Sequence, residues 1–370
     1  MPFEDPAARP LRVGVVGLGY AGRTHLTSYL PIPGVEVVAL AGLEPDRLQA
    51  LGAEHGVPHL HARWEDLVAR DDLDAISVCS PTHLHAPITI AALESGRHVL
   101  CEKPLARTGA EGEQMVRAAA KAGRVLQIAF NHRERGDVHT LKQHIDDGGL
   151  GDIYYAKTRW VRRSGIPGLG SWFTNKEMSG GGPMIDLGVH MLDLTLFLLG
   201  EPQVTSVSAN TYSELGSRGR GGTAGTDKQQ VGSGFEVEDL GTAFLRLAGG
   251  GTLLLEASWA TYRPDGDDFG VTLYGTEGGA EINVPNYAWE DTLRLYSDVA
   301  DAPAVIAPRV GRGEGHRAVV RSFVEKVRGD DWAQHIGTDA LARARIIDAC
   351  YASAREGREV AVAADSIGLG

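Results

Sequence analysis

Three ionisable residues, Asp186, His190 and Asp193, interrupt an otherwise apolar run, SGGGPMIDLGVHMLDLTLFLLG at 179–200. Pro183 near its start and Gly200 just past its end bound one helix over 179–200. The spacing i, i+4, i+7 puts the three polar residues on one stripe of that helix. A helix that is apolar all round is buried, and a buried carboxylate or imidazole must be paired or do chemistry. Two readings stand side by side: a satisfied polar network inside the core, or acid–base work by His190, with Asp186 orienting a substrate or the imidazole. No metal is expected, because Asp-x-x-x-His offers two ligands and no third candidate stands at motif spacing.

A cation belongs to the same group of candidates. Glu102-Lys103-Pro104 follows the apolar run His98–Cys101, which reads as a strand. A lone Lys in such a place is ordinarily a solvated surface charge, but the following proline fixes the local backbone and holds the ammonium in one place. Beside His190 that ammonium would stabilise a developing alkoxide and hold down the imidazole pKa. Lys103, Asp186 and His190 together make a catalytic group for oxidising an alcohol: a base takes the hydroxyl proton while a hydride leaves carbon for an acceptor.

Gly17-Leu18-Gly19-Tyr20-Ala21-Gly22 supplies the place for that acceptor. It is GxGxxG directly after the apolar run 11–16 and at the opening of a helical segment, the setting in which the glycines permit a tight turn and close approach of backbone to a pyrophosphate at a helix N-terminus. The other reading is a glycine turn made for packing alone. The acid that usually follows the second strand is missing, for Gly42 stands in its place in Ala39-Leu40-Ala41-Gly42-Leu43-Glu44. Glu44, one turn later, would hold a ribose hydroxyl and favour NAD; Arg47 would reach a 2′-phosphate and favour NADP. With no basic residue directly after the strand, NAD is favoured.

The elements that must position these residues fall into two groups. Up to residue 130, strands alternate with helices in units of about 25–30 residues, which implies right-handed crossovers, a parallel sheet and a doubly wound nucleotide-binding fold. Lys103 then lies at the carboxyl edge of that sheet, where such folds bind ligands. From 131 the rhythm changes to longer strands at 153–161, 204–212, 241–247, 252–260, 271–274 and 279–284, several with apolar–polar alternation. A mostly antiparallel sheet with helices on one face is expected there, giving an α+β second domain. The fold class is thus α/β, with a 1–130 dinucleotide-binding domain and a 131–370 domain for substrate and oligomerisation. Residues 213–234 hold seven glycines and almost no apolar side chain; they read as a mobile surface loop, with a lid or an inter-subunit arm as the alternative.

Composition bounds the rest. With 370 residues, 43% hydrophobic and 23% charged, the chain can bury a core in each domain. A net charge of −12 argues against nucleic acid as a partner. Cys79, Cys101 and Cys350 form no paired set and are expected as free thiols in a reducing, cytoplasmic compartment. Neither a leader sequence nor a membrane-length apolar run is expected from the pattern.

The motifs occur together in an order that resembles the glucose-fructose oxidoreductase/inositol dehydrogenase/rhizopine-catabolism (Gfo/Idh/MocA) family: GLGYAG at 17–22, SPTHLHAPITIAALESGRHVLCEKPLA at 80–106, FNHR at 130–133 and GGGPMIDLGVHMLDL at 180–194. The resemblance covers nearly the whole chain. It implies a Rossmann domain followed by a domain with a large open-faced sheet used for dimer or tetramer contacts. It implies that Lys103, Asp186 and His190 are the catalytic group, that the Lys103–Pro104 peptide is cis, that Ser80, Pro81, Thr82 and His85 edge the cofactor, and that Glu102 lies beside the nicotinamide. Two positions depart from the family pattern: Gly42 replaces the frequent Asp, and His132 stands where Arg is commoner.

A substrate rich in hydroxyls needs an aromatic ring and bidentate polar groups. WVRRSGIPGLGSWFTNK at 160–176 supplies Arg163, Trp172, Asn175 and Lys176, and FNHR supplies Arg133. The stretch resembles that of relatives acting on glucosides or other pyranoses; its alternative is a loop whose Trp packs under the sheet. The expected activity is an NAD(P)-dependent dehydrogenase or reductase for a sugar, glycoside or cyclitol. The competing readings are a family enzyme that keeps its cofactor through a redox cycle, as a glycosidase or dehydratase, and a non-catalytic nucleotide sensor.

Overall fold

The computed structural model describes residues 9–222 and 234–363. Half of the glycine-rich stretch 213–234 expected as a surface loop, 223–233, lies outside them.

The first eleven elements alternate strand and helix: β1 (Leu11–Val16), α1 (Tyr20–Tyr29), β2 (Val35–Ala41), α2 (Pro45–His55), β3 (His59–His61), α3 (Trp64–Val68), β4 (Ala75–Val78), α4 (His85–Glu94), β5 (His98–Cys101), α5 (Gly109–Ala122) and β6 (Leu126–Ile128); all but the short β3 and α3 were expected from the sequence. The six strands are all parallel, in the order β3-β2-β1-β4-β5-β6. That order reverses between β1 and β4, so the crevice at their carboxyl ends is where such a sheet receives a ligand. Val13, Val15, Ile76, Val78, Val99 and Leu100 have no solvent exposure, as strands covered by helices on both faces require.

The rest of the chain runs α6 (Gly136–Asp146), β7 (Ile153–Arg162), α7 (Lys176–Ser179), α8 (Val189–Leu198), β8 (Val204–Tyr212), β9 (Leu240–Leu247), β10 (Thr252–Ser258), β11 (Asp267–Gly275), β12 (Gly279–Pro285), β13 (Leu293–Val299), β14 (Ala302–Ile306), α9 (His316–Arg328), α10 (Thr338–Glu356) and β15 (Val360–Ala361). Its nine strands form one sheet, β14-β13-β12-β11-β7-β10-β9-β8-β15, antiparallel except for the β7–β10 pair. Alternation along β10 is clean: Leu253, Leu255 and Ala257 are buried while Leu254 is exposed. The buried face receives α8, whose Met191, Leu192 and Leu194 are fully enclosed, each such side chain contributing about 2 kcal/mol of transfer free energy. The opposite face is open.

Two findings correct the linear picture. The helix expected over 179–200 begins with a wide π-type turn, Met184–Gly188, before α8 takes over. And α9, far beyond residue 130, returns to the first sheet: Val319, Val320, Phe323, Val324 and Val327 join the core formed by Val13, Val15, Leu26 and Tyr29. Its apolar residues recur at helical spacing, and the face left open by α1 is what they bury.

Candidate active site

Between the two sheets lies a cleft of roughly 1660 Å³, large enough for a dinucleotide and a second small molecule together. Its floor on the first sheet is the glycine turn. Gly17 has φ +102°, and a Cβ there would stand 2.2 Å from the Cys79 carbonyl oxygen; a Cβ on Gly22 would stand 1.9 Å from the Gly17 carbonyl oxygen. Both glycines are therefore demanded by packing of turn, strand and helix. Gly19 is different, since a Cβ there meets nothing within 4 Å, so its bare backbone faces open cleft. No side chain caps α1 and no acid stands in its first turn, which leaves its first N–H groups for an anion. This chemistry suits a pyrophosphate. The missing acid also has a reason: a Cβ on Gly42 would lie 2.4 Å from two carbons of the buried Leu18 side chain. Glu44 lines the cleft just beyond, with Arg47 Nη1 3.4 Å from its Oε1.

On the far wall Lys103, Asp186 and His190 come together. The Lys103–Pro104 peptide is cis. Lys103 Nζ donates to Asp186 Oδ1 at 2.8 Å and to the Asp186 carbonyl at 3.2 Å. Trp259 Nε1, at the end of β10, donates to Asp186 Oδ2 at 2.8 Å. Both carboxylate oxygens are thus held. Burial works against the charge, but Lys103 outweighs it and keeps the Asp186 carboxyl below its ordinary pKa. His190 is 7% exposed; burial, then the charge of Lys103, then His132, hold its pKa well below the ordinary imidazole value. Its Nδ1 is enclosed without a hydrogen-bond partner. His132, which occupies the position of the expected Arg, lies edge-on to His190 with ring centroids 4.8 Å apart and is itself lowered to about 3, by burial first and Arg135 second. Trp160 lies 5.5 Å from His190 and completes an aromatic wall with Phe269.

Glu102 is fixed from three sides. His25 Nε2 approaches its Oε1 at 3.0 Å and His316 Nε2 at 3.3 Å, while its Oε2 accepts the Lys103 backbone N–H at 3.2 Å. These imidazoles outweigh burial and keep the Glu102 carboxyl well below its ordinary pKa. The sequence offered no set of three metal ligands, yet the ligand atoms of His25, Glu102 and His316 lie within 4.8 Å of one another. They come from α1, the end of β5 and the start of α9, so no motif spacing links them. With each imidazole donating to the carboxylate, the three groups satisfy one another, and Glu102 in turn ties down the backbone of Lys103.

Of the other residues singled out from sequence, Tyr20, Ala21, Ser80, Pro81, Thr82 and Trp172 line the same cleft. Six do not: Lys176, whose backbone N–H donates to Glu236 Oε2 at 3.1 Å, and five others that each have another task. Gly22 packs under the turn. His85 is buried, its two ring nitrogens on the carbonyls of Pro104 (2.7 Å) and Ser80 (2.9 Å), so it braces the loop that carries Lys103 rather than edging a cofactor. Arg133 binds Asp193, with Nε–Oδ2 at 2.8 Å, in a network that includes Arg343 and Asp339. Asp193 is thereby spent on structure: from residue 186 to 193 the helix climbs about 10 Å, which carries it out of the cleft. Arg163 lies over Tyr262 at 4.9 Å. Asn175 caps α7 by accepting the Met178 N–H at 2.9 Å. Trp259, His316, Tyr287, Trp289, Arg135 and Arg312, which hold or line the site, were not singled out from the sequence; Tyr287, Trp289 and Arg312 come from loops after β12 and before α9, where no periodicity marks them.

Comparison with known proteins identifies the family of the chain. Residues 11–130 match the GFO_IDH_MocA family model, described as an oxidoreductase family with an NAD-binding Rossmann fold, and residues 138–281 match the GFO/IDH/MocA C-terminal domain. The chain is 32% identical over 355 residues to a D-glucoside 3-dehydrogenase of Escherichia coli (strain K12), covering 95% of this chain and 97% of that one. It is 30% identical over 309 residues to a levoglucosan dehydrogenase of Pseudarthrobacter phenanthrenivorans, covering 79% and 78%. Among solved structures, a levoglucosan dehydrogenase in complex with NADH superposes with a TM-score of 0.82 at 25% identity, over 96% of this chain and 100% of that chain.

Proposed function

We infer, from the premise that this chain belongs to the Gfo/Idh/MocA oxidoreductase family, that it is an NAD-dependent dehydrogenase or reductase acting on a hydroxyl or keto carbon of a sugar, glycoside or cyclitol. The observation that carries this reading is one cleft holding both the uncapped glycine turn and the Lys103–Asp186–His190 group.

Gly17, Gly19, Tyr20 and Ala21 would hold the pyrophosphate, Glu44 a ribose hydroxyl, and Ser80, Pro81, Thr82 and Glu102 the edge toward the reacting end. Bound nicotinamide supplies the acceptor for a hydride, or its donor in reduction. The protein handles the proton. His190, neutral because it is buried beside Lys103, takes the hydroxyl proton of the substrate and returns it in the reverse direction. An ammonium has three N–H donors; Asp186 accepts from Lys103 through its carboxylate and its carbonyl, and the remaining donor is free for the substrate oxygen, where it stabilises the alkoxide. Asp186 positions Lys103, and Trp259 positions Asp186. Trp172 and His132 would face the sugar ring, with Trp160 and Phe269 buried behind His132.

The first sheet together with α9 would form the cofactor domain and the second sheet the substrate domain. The open face of the second sheet, with Tyr154, Phe244, Leu254, Tyr274 and Tyr296 on it, supports a homodimer or homotetramer built through that sheet. Three free cysteines support a reducing, cytoplasmic location, and a net charge of −12 speaks against nucleic acid. Among the described residues no helix is long and apolar enough to cross a membrane. The test is a panel of aldoses, glucosides and inositols with NAD⁺ and with NADP⁺, following reduced-nicotinamide absorbance: at least one substrate is turned over with NAD⁺, and no turnover or binding of either nicotinamide contradicts the reading.

A further inference from the structure

The loop between β12 and β13 is built at a cost in backbone conformation. Asn286 (φ 48°), Tyr287 (φ 58°) and Asp291 (φ 54°) all adopt the left-handed region without being glycine, a conformation that bulky residues keep only where their surroundings impose it. Here the surroundings are two anchored arginines. Arg162 Nη2 donates to the Tyr287 hydroxyl at 3.1 Å and is itself fixed by Asp267, 2.8 Å from Nε. Arg135 Nη2 donates to the Ala288 carbonyl at 3.1 Å and is fixed by Asp137, which also accepts from Thr292 Oγ1 at 2.7 Å. Asn286 closes the base of the loop, its N–H on the Asp267 carbonyl at 2.8 Å and its Oδ1 accepting the Asp267 N–H at 3.0 Å.

What this clamp presents to the cleft is aromatic. Tyr287 and Trp289 both line it, and Tyr287 remains 46% exposed. Tyr287 is one ring removed from the chemistry, with centroids 6.2 Å from Trp160 and 6.0 Å from Phe269, the former being the ring beside His190. Trp289 continues the row outward: the Arg135 guanidinium lies 4.4 Å and that of the exposed Arg312 4.7 Å from its centroid. Among the described residues Arg312 is in no ion pair, and its guanidinium is exposed. An aromatic platform with an uncommitted guanidinium, one ring's width beyond the catalytic group, is what a second planar or hydroxylated ring needs.

We propose that Tyr287, Trp289 and Arg312 form an outer subsite for a second ring, so that the substrate is a glycoside bearing a ring as its aglycone rather than a free sugar or cyclitol. The proposal rests on the dehydrogenase reading above and deepens it. The oxidised sugar sits against His132 and His190, which line the cleft; the aglycone ring extends along Tyr287 to Trp289, with Arg312 donating to its hydroxyl or ether oxygens. The outer subsite contributes binding and takes no part in the proton or hydride step.

The test uses the purified enzyme with NAD⁺ and four probes: D-glucose, methyl β-D-glucopyranoside, phenyl β-D-glucopyranoside and cellobiose. Wild-type enzyme should favour the two ring-bearing probes by about tenfold or more in kcat/KM. Trp289→Ala should raise KM for those two about tenfold more than for the methyl glucoside, with kcat little affected. Arg312→Ala, at an exposed position where folding is not at stake, should raise KM for cellobiose several-fold. Saturation-transfer NMR on the enzyme–NAD⁺ complex gives a readout independent of turnover: aglycone protons should be saturated as strongly as sugar protons in wild type, and lose that saturation in Trp289→Ala. Equal losses on all four probes, or sugar protons alone saturated, overturn the subsite. Absence of turnover of every sugar overturns the dehydrogenase reading instead, and the NMR result still decides the subsite.

Discussion

His190 and His132 lie ring against ring on the wall of the cleft, and burial and neighbouring cations hold the pKa of both below the ordinary imidazole value. That fixes the direction of the pH dependence. A base whose pKa is pushed below its ordinary value stays competent as the pH falls through the normal imidazole range, so kcat/KM for oxidation should show no limb near pH 6.5 that belongs to His190. Such a limb, present in wild type and absent in a His190→Gln enzyme with residual activity, would contradict this placement. His190→Ala should lower kcat by roughly 10²–10⁴, the ordinary worth of a general base, while the NAD⁺ dissociation constant from fluorescence titration stays within about threefold. Lys103→Met should cost a similar factor by removing the donor to the alkoxide and freeing Asp186. Of these residues, Asp186 and His190 were legible from periodicity and the cost of burying polar groups. Lys103 was legible mainly by resemblance, and His132 showed only as a departure from a family pattern.

Glu238 shows what an element needs in order to present such residues. The helix that carries Asp186 and His190 starts without a cap of its own, and the Glu238 carboxylate supplies one, accepting the Gly182 N–H at 3.0 Å and the Met184 N–H at 3.1 Å, with Tyr351 donating at 2.9 Å. Burial raises the Glu238 pKa despite these bonds. Glu238→Ala leaves two buried N–H groups unpaired and should destabilise the protein by about 2–4 kcal/mol in urea unfolding, with a fall in kcat because Asp186 sits in the turn being capped. Nothing near residue 238 in the sequence announces this role; it depends on a contact across 56 positions of chain. Most strands were readable as apolar or alternating runs, but the three-residue β3 was too short to show a pattern; β13 was passed over although Leu293 and Leu295 are buried between exposed Arg294 and Tyr296, and β14 is an apolar but exposed edge strand whose burial gives no alternation. The helix α9 did carry a readable signal, Val319, Phe323, Val324 and Val327 on one face; what periodicity does not encode is that this face closes on the first sheet. On β5, His98 accepts the Val125 N–H on Nδ1 at 3.1 Å and its pKa is lowered to about 4, by burial first and Arg124 second. The unfolded chain then binds a proton between pH 6.5 and 4 that the native state refuses, so stability is lost as the pH falls through that window, by roughly 3 kcal/mol from this residue. His98→Asn should flatten the pH dependence of the urea midpoint over that window; an unchanged slope would contradict the assignment.

At the scale of the molecule, one sheet carries the glycine turn, the other carries the helix of Asp186 and His190, and α9 brings His316 to Glu102 beside Lys103. The open face of the second sheet is the natural place for self-association. Light scattering after size exclusion should give a dimer or tetramer, and Leu254→Lys, a charge placed at a 38% exposed position on that face, should shift it toward monomer; a wild-type monomer would contradict the proposed interface. The central claim is that a carbon-bound hydride passes from a sugar to nicotinamide while Lys103 and His190 manage the oxygen and its proton. The most direct measurement follows the label: a glucoside deuterated at every ring carbon is turned over with NAD⁺, and the reduced nicotinamide is examined by mass spectrometry. One deuterium per reduced nicotinamide, formed by wild type and reduced by at least 10²-fold in His190→Ala, is the result this account predicts; unlabelled reduced nicotinamide, or equal rates in the two enzymes, would contradict it.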